Sequence, residues 1–302
     1  METGILLESG TNELEILEFK VGSNYYGINV AKVKEILPYQ KPTSVPNAHP
    51  FIEGIFMPRD VILTIVDLTK CLRAGMKSDT AKDMFIVTNF NQLNVAFHVD
   101  SVVGIHRVSW SDIAKPDATL SSSGNGLATG IIKLQEKLIV ILDFEKIVSD
   151  ISPETGLKVS EVEGLKNYNR AAVPILMAED SPMLSHLIHD CLEKAGYREI
   201  TTTMNGLEAW ERLKSYRDAG TLKQHVGCVI TDIEMPQMDG HHLTKLIKDD
   251  PQLRDIPVVI FSSLINDEMR RKGEALGADI QMSKPEIGQL IHEMDKLLFE
   301  EK

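Results

Sequence analysis

Five residues in the second half of this 302-residue chain each follow a short apolar run, and together they could do chemistry. Glu179 and Asp180 follow Val173–Ala178, and Asp232 follows Val229-Ile230-Thr231. Ser262 follows Pro257–Phe261, and Lys284 follows Asp279–Ser283. Grouped carboxylates suit Mg²⁺, a hard cation that takes oxygen ligands and usually keeps several waters. A lysine offers a point positive charge to a phosphoryl oxygen, and a serine a hydrogen bond to another. Adjacent acids such as Glu179 and Asp180 repel one another unless a cation or a proton is shared. Taken alone, Asp232 reads as a strand-ending acid that merely caps a loop. The company it keeps argues otherwise.

That company depends on the elements that carry it. The apolar runs read as strands at Val173–Ala178, Ile200–Thr203, Val229–Thr231, Pro257–Phe261 and Asp279–Ser283. Helical spacing of apolar residues lies between them. One helix runs from Ser181-Pro182 through Leu192 to Gly196, and Asn205-Gly206 opens another through Leu213. Others follow Asp239-Gly240, span Met269–Leu276, and carry Ile287 to Leu297. Strict alternation implies a parallel sheet with right-handed crossovers. All the strand ends then share one edge, where open α/β sheets bind ligands.

The first half reads differently. Leu14–Val21, Tyr25–Val30, Val61–Val66, Phe85–Asn89, Val95–Val99, Val102–Val108, Ile131-Ile132 and Leu138–Leu142 are short strand patterns. Gly22-Ser23-Asn24 supplies a hairpin turn, and Val33 to Leu37 forms either one helical turn or a short strand before Pro38. Pro42, Pro46, Pro50 and Pro58 leave no room for a long helix, while Asp67-Leu68-Thr69 opens a short one. Ser121–Gly126 reads as a flexible loop. Many short strands with turns indicate a sandwich or barrel assembly. His49, His98 and His106 show no metal spacing, and His98 reads as an ordinary strand histidine. Arg59-Asp60 is either a turn salt bridge or a recognition arginine. This half is a binding module rather than an enzyme.

Composition sets the bounds. With 43% hydrophobic and 25% charged residues the chain reads as a soluble globular protein of two domains. A formal net charge of -12 argues against a nucleic-acid partner. Cys71, Cys191 and Cys228 are scattered and read as buried small hydrophobes in a reducing cytosol. The start of the chain is no signal peptide, and no apolar run approaches the roughly 20 residues of a membrane span. No direct membrane insertion is expected, and the location is cytoplasmic. Pro153, Gly156 and Gly164 mark a polar linker, in which Val159–Glu163 could form a brief helix. The expected domains are 12–150 and 173–302, joined by a linker at 151–172.

Two resemblances extend this reading. In the first half, Phe19-Lys20-Val21, Tyr26-Gly27-Ile28, Val33–Ile36, Val45-Pro46, Arg59 through Leu68, Gly130-Ile131-Ile132 and Leu142-Asp143 together resemble the CheW-type chemotaxis coupling domain. That resemblance implies two small five-stranded β-barrels. It implies partners at the cytoplasmic tips of chemoreceptors and in the regulatory domain of a histidine kinase. The family's coupling arginine falls on Arg59, although Met57-Pro58, Asp60 and Thr64 depart from the pattern around it.

In the second half, Glu179-Asp180, Asp232 with Met235-Pro236, Asp239-Gly240, Ser262 and Lys284-Pro285 resemble the receiver domain of response regulators. The implied fold is flavodoxin-like, with strand order 2-1-3-4-5. Asp232 would accept a phosphoryl group from a kinase phosphohistidine. Glu179, Asp180, Asp232 and the backbone carbonyl of Glu234 would hold Mg²⁺, and Ser262 and Lys284 would contact phosphoryl oxygens. The Lys284-Pro285 bond is usually cis in that family. Its switch aromatic falls on Gln281, a departure.

The order of the two domains resembles CheV-type chemotaxis coupling proteins. The expectation is a phosphorylation-regulated adaptor at membrane receptor arrays, acting in adaptation or as a phosphate sink. Two alternatives stand beside it. One is a static scaffold with an inert receiver. The other is a haloacid-dehalogenase-like, Mg²⁺-dependent phosphatase, which expects an Asp and then a Thr where Glu234 and Pro236 stand.

Overall fold

The computed structural model describes residues 11–74, 81–90, 93–114, 116, 126–134, 136–152, 168–284 and 287–300. The expected loop at Ser121–Gly126, apart from Gly126, lies outside the described residues, as do Val159–Glu163 and Pro285. The chain divides into two compact units, 14–108 with 112–155 and, principally, 156–302. Among the described residues no helix is long and apolar enough to cross a membrane.

The first unit is built from ten strands among the described residues. They are β1 (Glu13–Val21), β2 (Asn24–Asn29), β3 (Val33–Pro38), β4 (Ile52–Phe56), β5 (Leu63–Asp67), β6 (Met84–Phe90), β7 (Leu93–Val99), β8 (Ser101–Ser109), β9 (Ala128–Leu134) and β10 (Lys137–Leu142). They form two five-stranded sheets, ordered β8-β1-β2-β10-β9 and β3-β6-β7-β5-β4. The two orders are equivalent. Each sheet holds an antiparallel hairpin (β1–β2, β6–β7) whose second strand pairs in parallel with β10 or β5. An antiparallel partner, β9 or β4, completes each. The chain enters the second sheet after β2 and leaves it after β7, so that sheet forms from one continuous segment inserted between β2 and β8 of the first.

The strands that feed each sheet end on an aspartate that caps a helix. Asp67 accepts from the Lys70 amide to start α1 (Leu68–Cys71), and Asp143 accepts from the Lys146 amide to start α2 (Phe144–Ile151). Strand β4 and helix α2 are not evident from the sequence pattern. Phe144 at the head of α2 is fully buried, with Phe97 at 4.7 Å and Phe19 at 6.2 Å between ring centroids. Leu17, Val21, Ile28, Val66, Ile86 and Val99 belong to the same core.

The second unit has a five-stranded parallel sheet, β12-β11-β13-β14-β15. Its strands are β11 (Ile175–Ala178), β12 (Ile200–Thr203), β13 (Cys228–Thr231), β14 (Val258–Ser262) and β15 (Ile280–Ser283). In order of the chain the strand order is 2-1-3-4-5, as the resemblance implied. The helices are α3 (Pro182–Ala195), α4 (Gly206–Asp218), α5 (Leu222–His225), α6 (Gly240–Asp249), α7 (Asp267–Ala275) and α8 (Ile287–Phe299). Ser181, Asn205, Asp239 and Asn266 cap α3, α4, α6 and α7 with their side chains. Gly196, at φ +110°, stops α3 where an L side chain would be strained. Separate apolar clusters cover the two faces of the sheet, one around Ile175, Ile230 and Phe261 and one around Leu176, Val229 and Val258.

His98 departs from the ordinary strand histidine expected of it. Its Nδ1 lies 2.8 Å from Glu53 Oε2 and its Nε2 lies 3.1 Å from Asp83 Oδ2. The Tyr39 ring stacks on it at 4.5 Å and gives its hydroxyl hydrogen bond to Glu53. With a carboxylate at each ring nitrogen, the imidazolium form satisfies both. Burial opposes that charge, but Glu53 and then Asp83 outweigh it and hold the His98 pKa above its ordinary 6.5. The clamp therefore stabilises fully below about pH 6.5 and fades as pH rises through the raised value. Wild type should lose stability relative to His98→Gln as pH rises above about 6.5, read from urea unfolding midpoints. A difference that stays constant as pH rises contradicts the clamp.

Candidate functional site

Parallel register brings the predicted residues to one edge. Ala178 aligns with Thr231 and Thr203, so Glu179 and Asp232, each one residue further on, leave adjacent strands together. The Asp232 amide donates to the Ala178 carbonyl at 3.0 Å and the Glu179 amide to the Thr203 carbonyl at 3.1 Å, which extends the ladder to the acids themselves. Ser262 aligns with Ser283, one residue before Lys284.

Lys284 Nζ then reaches both neighbouring acids, Asp232 Oδ2 at 2.6 Å and Glu179 Oε2 at 3.0 Å. All three are buried. The other Asp232 oxygen accepts from the Ile233 amide at 2.6 Å, and Glu179 Oε1 accepts from the Ser181 amide at 3.2 Å. Carboxylate oxygens of Glu179, Asp180 and Asp232 all lie within 4.8 Å of one another. Burial is the largest influence on Glu179 and raises its pKa. Lys284 opposes the rise, Asp232 and Asp180 add to it, and the outcome is about 8. A cation held among the three acids would relieve this crowding. The donor set is oxygen only, and it fits Mg²⁺.

Ser262 is fully buried at the end of β14, and its hydroxyl oxygen accepts from the Leu264 amide at 3.2 Å. Glu234 follows Asp232 by two residues in the loop after β13, a loop anchored by the fully buried Met235. Two glycines at helix starts shape this loop. A Cβ on Gly240 would lie 1.9 Å from the Asp232 carbonyl oxygen, and one on Gly206 would lie 2.7 Å from the Met238 carbonyl oxygen. Only glycine lets α6 and α4 approach so closely. Thr231 adds a hydrogen bond from its hydroxyl to the Asp232 carbonyl at 2.9 Å. The Asp239-Gly240 pair that closes the loop after Asp232 was the available signal for Gly240. Burial pushes the capping Asp239 up to about 6.

Gln281 is buried on β15 and turned toward α7. Its Nε2 donates to the Arg270 carbonyl at 2.7 Å, and Arg270 Nη1 donates back to the Gln281 carbonyl at 3.2 Å. Gly273 makes the space, since a Cβ there would lie 2.2 Å from Gln281 Oε1. The position expected to carry an aromatic thus holds a polar contact between strand and helix. In the other unit Arg59 lies in the connection from β4 to β5. It is largely exposed, 3.3 Å from Glu35, close in sequence to exposed Met57, Val61 and Ile62. An exposed pair of this kind contributes little to stability. Cys71, Cys191 and Cys228 are buried and free, as expected.

A family model for the CheW-like domain matches residues 15–152, and one for the response regulator receiver domain matches 175–295. Chemotaxis protein CheV3 of Helicobacter pylori is 30% identical over 304 residues, covering 95% of each chain. Chemotaxis protein CheV2 of the same organism is 28% identical over 306 residues, covering 94% of each. Among solved structures, the scaffolding protein TtCheW from Thermoanaerobacter tengcongensis is 22% identical with a TM-score of 0.42, covering 48% of this chain and 90% of that one. Identity at the level of CheV3, sustained through both domains, shows the family: the chain belongs to the CheV family of chemotaxis proteins, a CheW-like domain followed by a response regulator receiver domain.

Proposed function

We propose that this chain is a chemotaxis adaptor whose coupling of receptors to a histidine kinase is adjusted by phosphorylation at Asp232. The observation that carries this reading is Lys284 Nζ held between Asp232 and Glu179, with Asp180 alongside, in a chain that also contains a CheW-like domain. The functional domains in this reading are a coupling domain at 12–150, a linker at 151–172 and a receiver at 173–302. The coupling domain engages the cytoplasmic tips of chemoreceptors and the regulatory domain of the kinase. The adaptor works at the cytoplasmic side of membrane receptor arrays.

In the receiver, an Asp232 carboxylate oxygen attacks the phosphorus of a kinase phosphohistidine. The new P–O bond forms as the P–N bond breaks, and the departing imidazole keeps the electron pair. Glu179, Asp180, Asp232 and the Glu234 backbone carbonyl would hold Mg²⁺, which when bound neutralises charge on the phosphoryl oxygens. Lys284 already stands within hydrogen-bond distance of Asp232 and can follow an oxygen of the transferred group. Ser262 sits at the neighbouring strand end, with its hydroxyl proton available to another. No separate substrate is turned over. The chain stores a phosphoryl group and changes what it couples.

Two outcomes test this reading. Acetyl phosphate with Mg²⁺ should label the wild-type chain on Asp232, seen by intact mass and phosphopeptide mapping, and Asp232→Asn should carry no label. Persistence of the label in that variant removes Asp232 as the acceptor. Arg59→Ala should reduce receptor capture in a pull-down by several-fold while leaving the Asp232 label intact. Capture equal to wild type takes Arg59 out of the coupling surface.

A further inference from the structure

By sequence, Tyr168 and Arg170 belong to a polar linker. The structure gives them a fixed place on the receiver. Arg170 Nε donates to Asp295 Oδ1 at 2.8 Å, and Nη2 donates to Oδ2 at 2.6 Å, a bidentate fork onto α8. Its remaining nitrogen, Nη1, donates to the carbonyl of Ala195, the last residue of α3. Arg170 is 5% exposed and Asp295 2%. Next to this pair, the Tyr168 ring lies parallel to Phe299 at 5.0 Å, and its hydroxyl donates to Glu300 at 2.8 Å. The guanidinium carbon sits 5.7 Å from the Tyr168 ring. One short segment is therefore tied to two helices at once.

These contacts are unlike an exposed ion pair. A planar guanidinium meeting a carboxylate through two parallel bonds fixes orientation as well as distance. Removing either partner alone would leave the other charge buried and uncompensated. The segment preceding β11 thus moves with α8 or breaks the pair, with no graded response between. Helix α8 is also the element that follows Lys284 in the chain, and Lys284 holds Asp232 and Glu179.

We propose that the Arg170–Asp295 pair is a positioning contact that carries the state of the Asp232 site into the linker. A phosphoryl group on Asp232 adds negative charge where Lys284 now meets a carboxylate, and Lys284 must follow the new oxygens. Displacement at the start of α8 reaches Asp295 along a hydrogen-bonded rod, and Arg170 passes it to the segment that leads back toward the coupling domain. Neither residue touches the reacting atoms. This inference rests on Asp232 being the phosphoryl acceptor.

The test uses the full-length chain with acetyl phosphate and Mg²⁺, reading two quantities together. One is the label on Asp232 by mass, and the other is amide hydrogen exchange at residues 168–172 and across α8. In wild type, labelling should be accompanied by a several-fold change in exchange at 168–172. In Arg170→Met/Asp295→Leu, which replaces the buried pair by apolar volume, Asp232 should label as in wild type and α8 should respond. Residues 168–172 should not. Arg170→Lys keeps the charge but loses the fork, and should weaken the response at 168–172 at unchanged labelling. A labelled wild type whose exchange at 168–172 stays constant overturns the proposal, even where the double variant fails to fold. So does a wild-type response in either variant. Absence of label on wild-type Asp232 defeats the functional reading itself, and this inference with it.

Discussion

Three carboxylates share one corner of a buried sheet edge, and that crowding governs the receiver. Two unit charges about 4 Å apart interact by about 4 kcal/mol at an effective dielectric constant of 20. Glu179, Asp180 and Asp232 cannot all remain ionised there without a positive partner. Lys284 supplies one charge, shared between Asp232 and Glu179, while burial and then the neighbouring acids hold the Glu179 pKa above its ordinary range. An oxygen-only cluster of this kind suits a divalent cation, and the proposed function adds an anionic group that Lys284 can follow. What would be a defect in a structural core is a resource in a site proposed to accept charge.

The remaining architecture serves to hold that corner still. A parallel ladder fixes the strand ends, side-chain caps start the helices around them, and Gly240 and Gly206 allow the acid loop to close down on its own backbone. The β-rich unit solves a different problem. One sheet is a continuous segment inserted within the other, and a shared core running from Leu17 to Val148 joins them, so neither can open without exposing that core. The coupling surface proposed on this unit, with Arg59 in the connection from β4 to β5, would rest on a stiff base.

The receiver was legible in the sequence almost residue by residue, because its information is local. Each strand is a short, largely apolar run, each candidate site residue lies at the end of one, and alternation with helices forces them to a common edge. Strand β4 was missed because prolines surround it and Gly54 interrupts it at φ +159°. Helix α2 was missed because it is eight residues long and begins two residues after a strand. The role of His98 depends on Glu53 and Asp83, 45 and 15 positions away, and no periodicity reports such a pair. The same holds for Arg170, whose partner Asp295 lies 125 positions on. Gln281 was legible as a departure from the family pattern, but the niche at Gly273 that receives it was not.

In the proposed function, charge at Asp232 controls what the CheW-like domain couples. Its most direct test is kinase activity in reconstituted assemblies of chemoreceptor, histidine kinase and this chain, measured with wild type and Asp232→Ala, each with and without acetyl phosphate and Mg²⁺. Both proteins should support coupling in the absence of the phosphodonor, and only the wild-type assembly should change its kinase activity when the donor is added. An assembly in which wild type and Asp232→Ala respond alike, or in which neither supports coupling at all, would contradict the account.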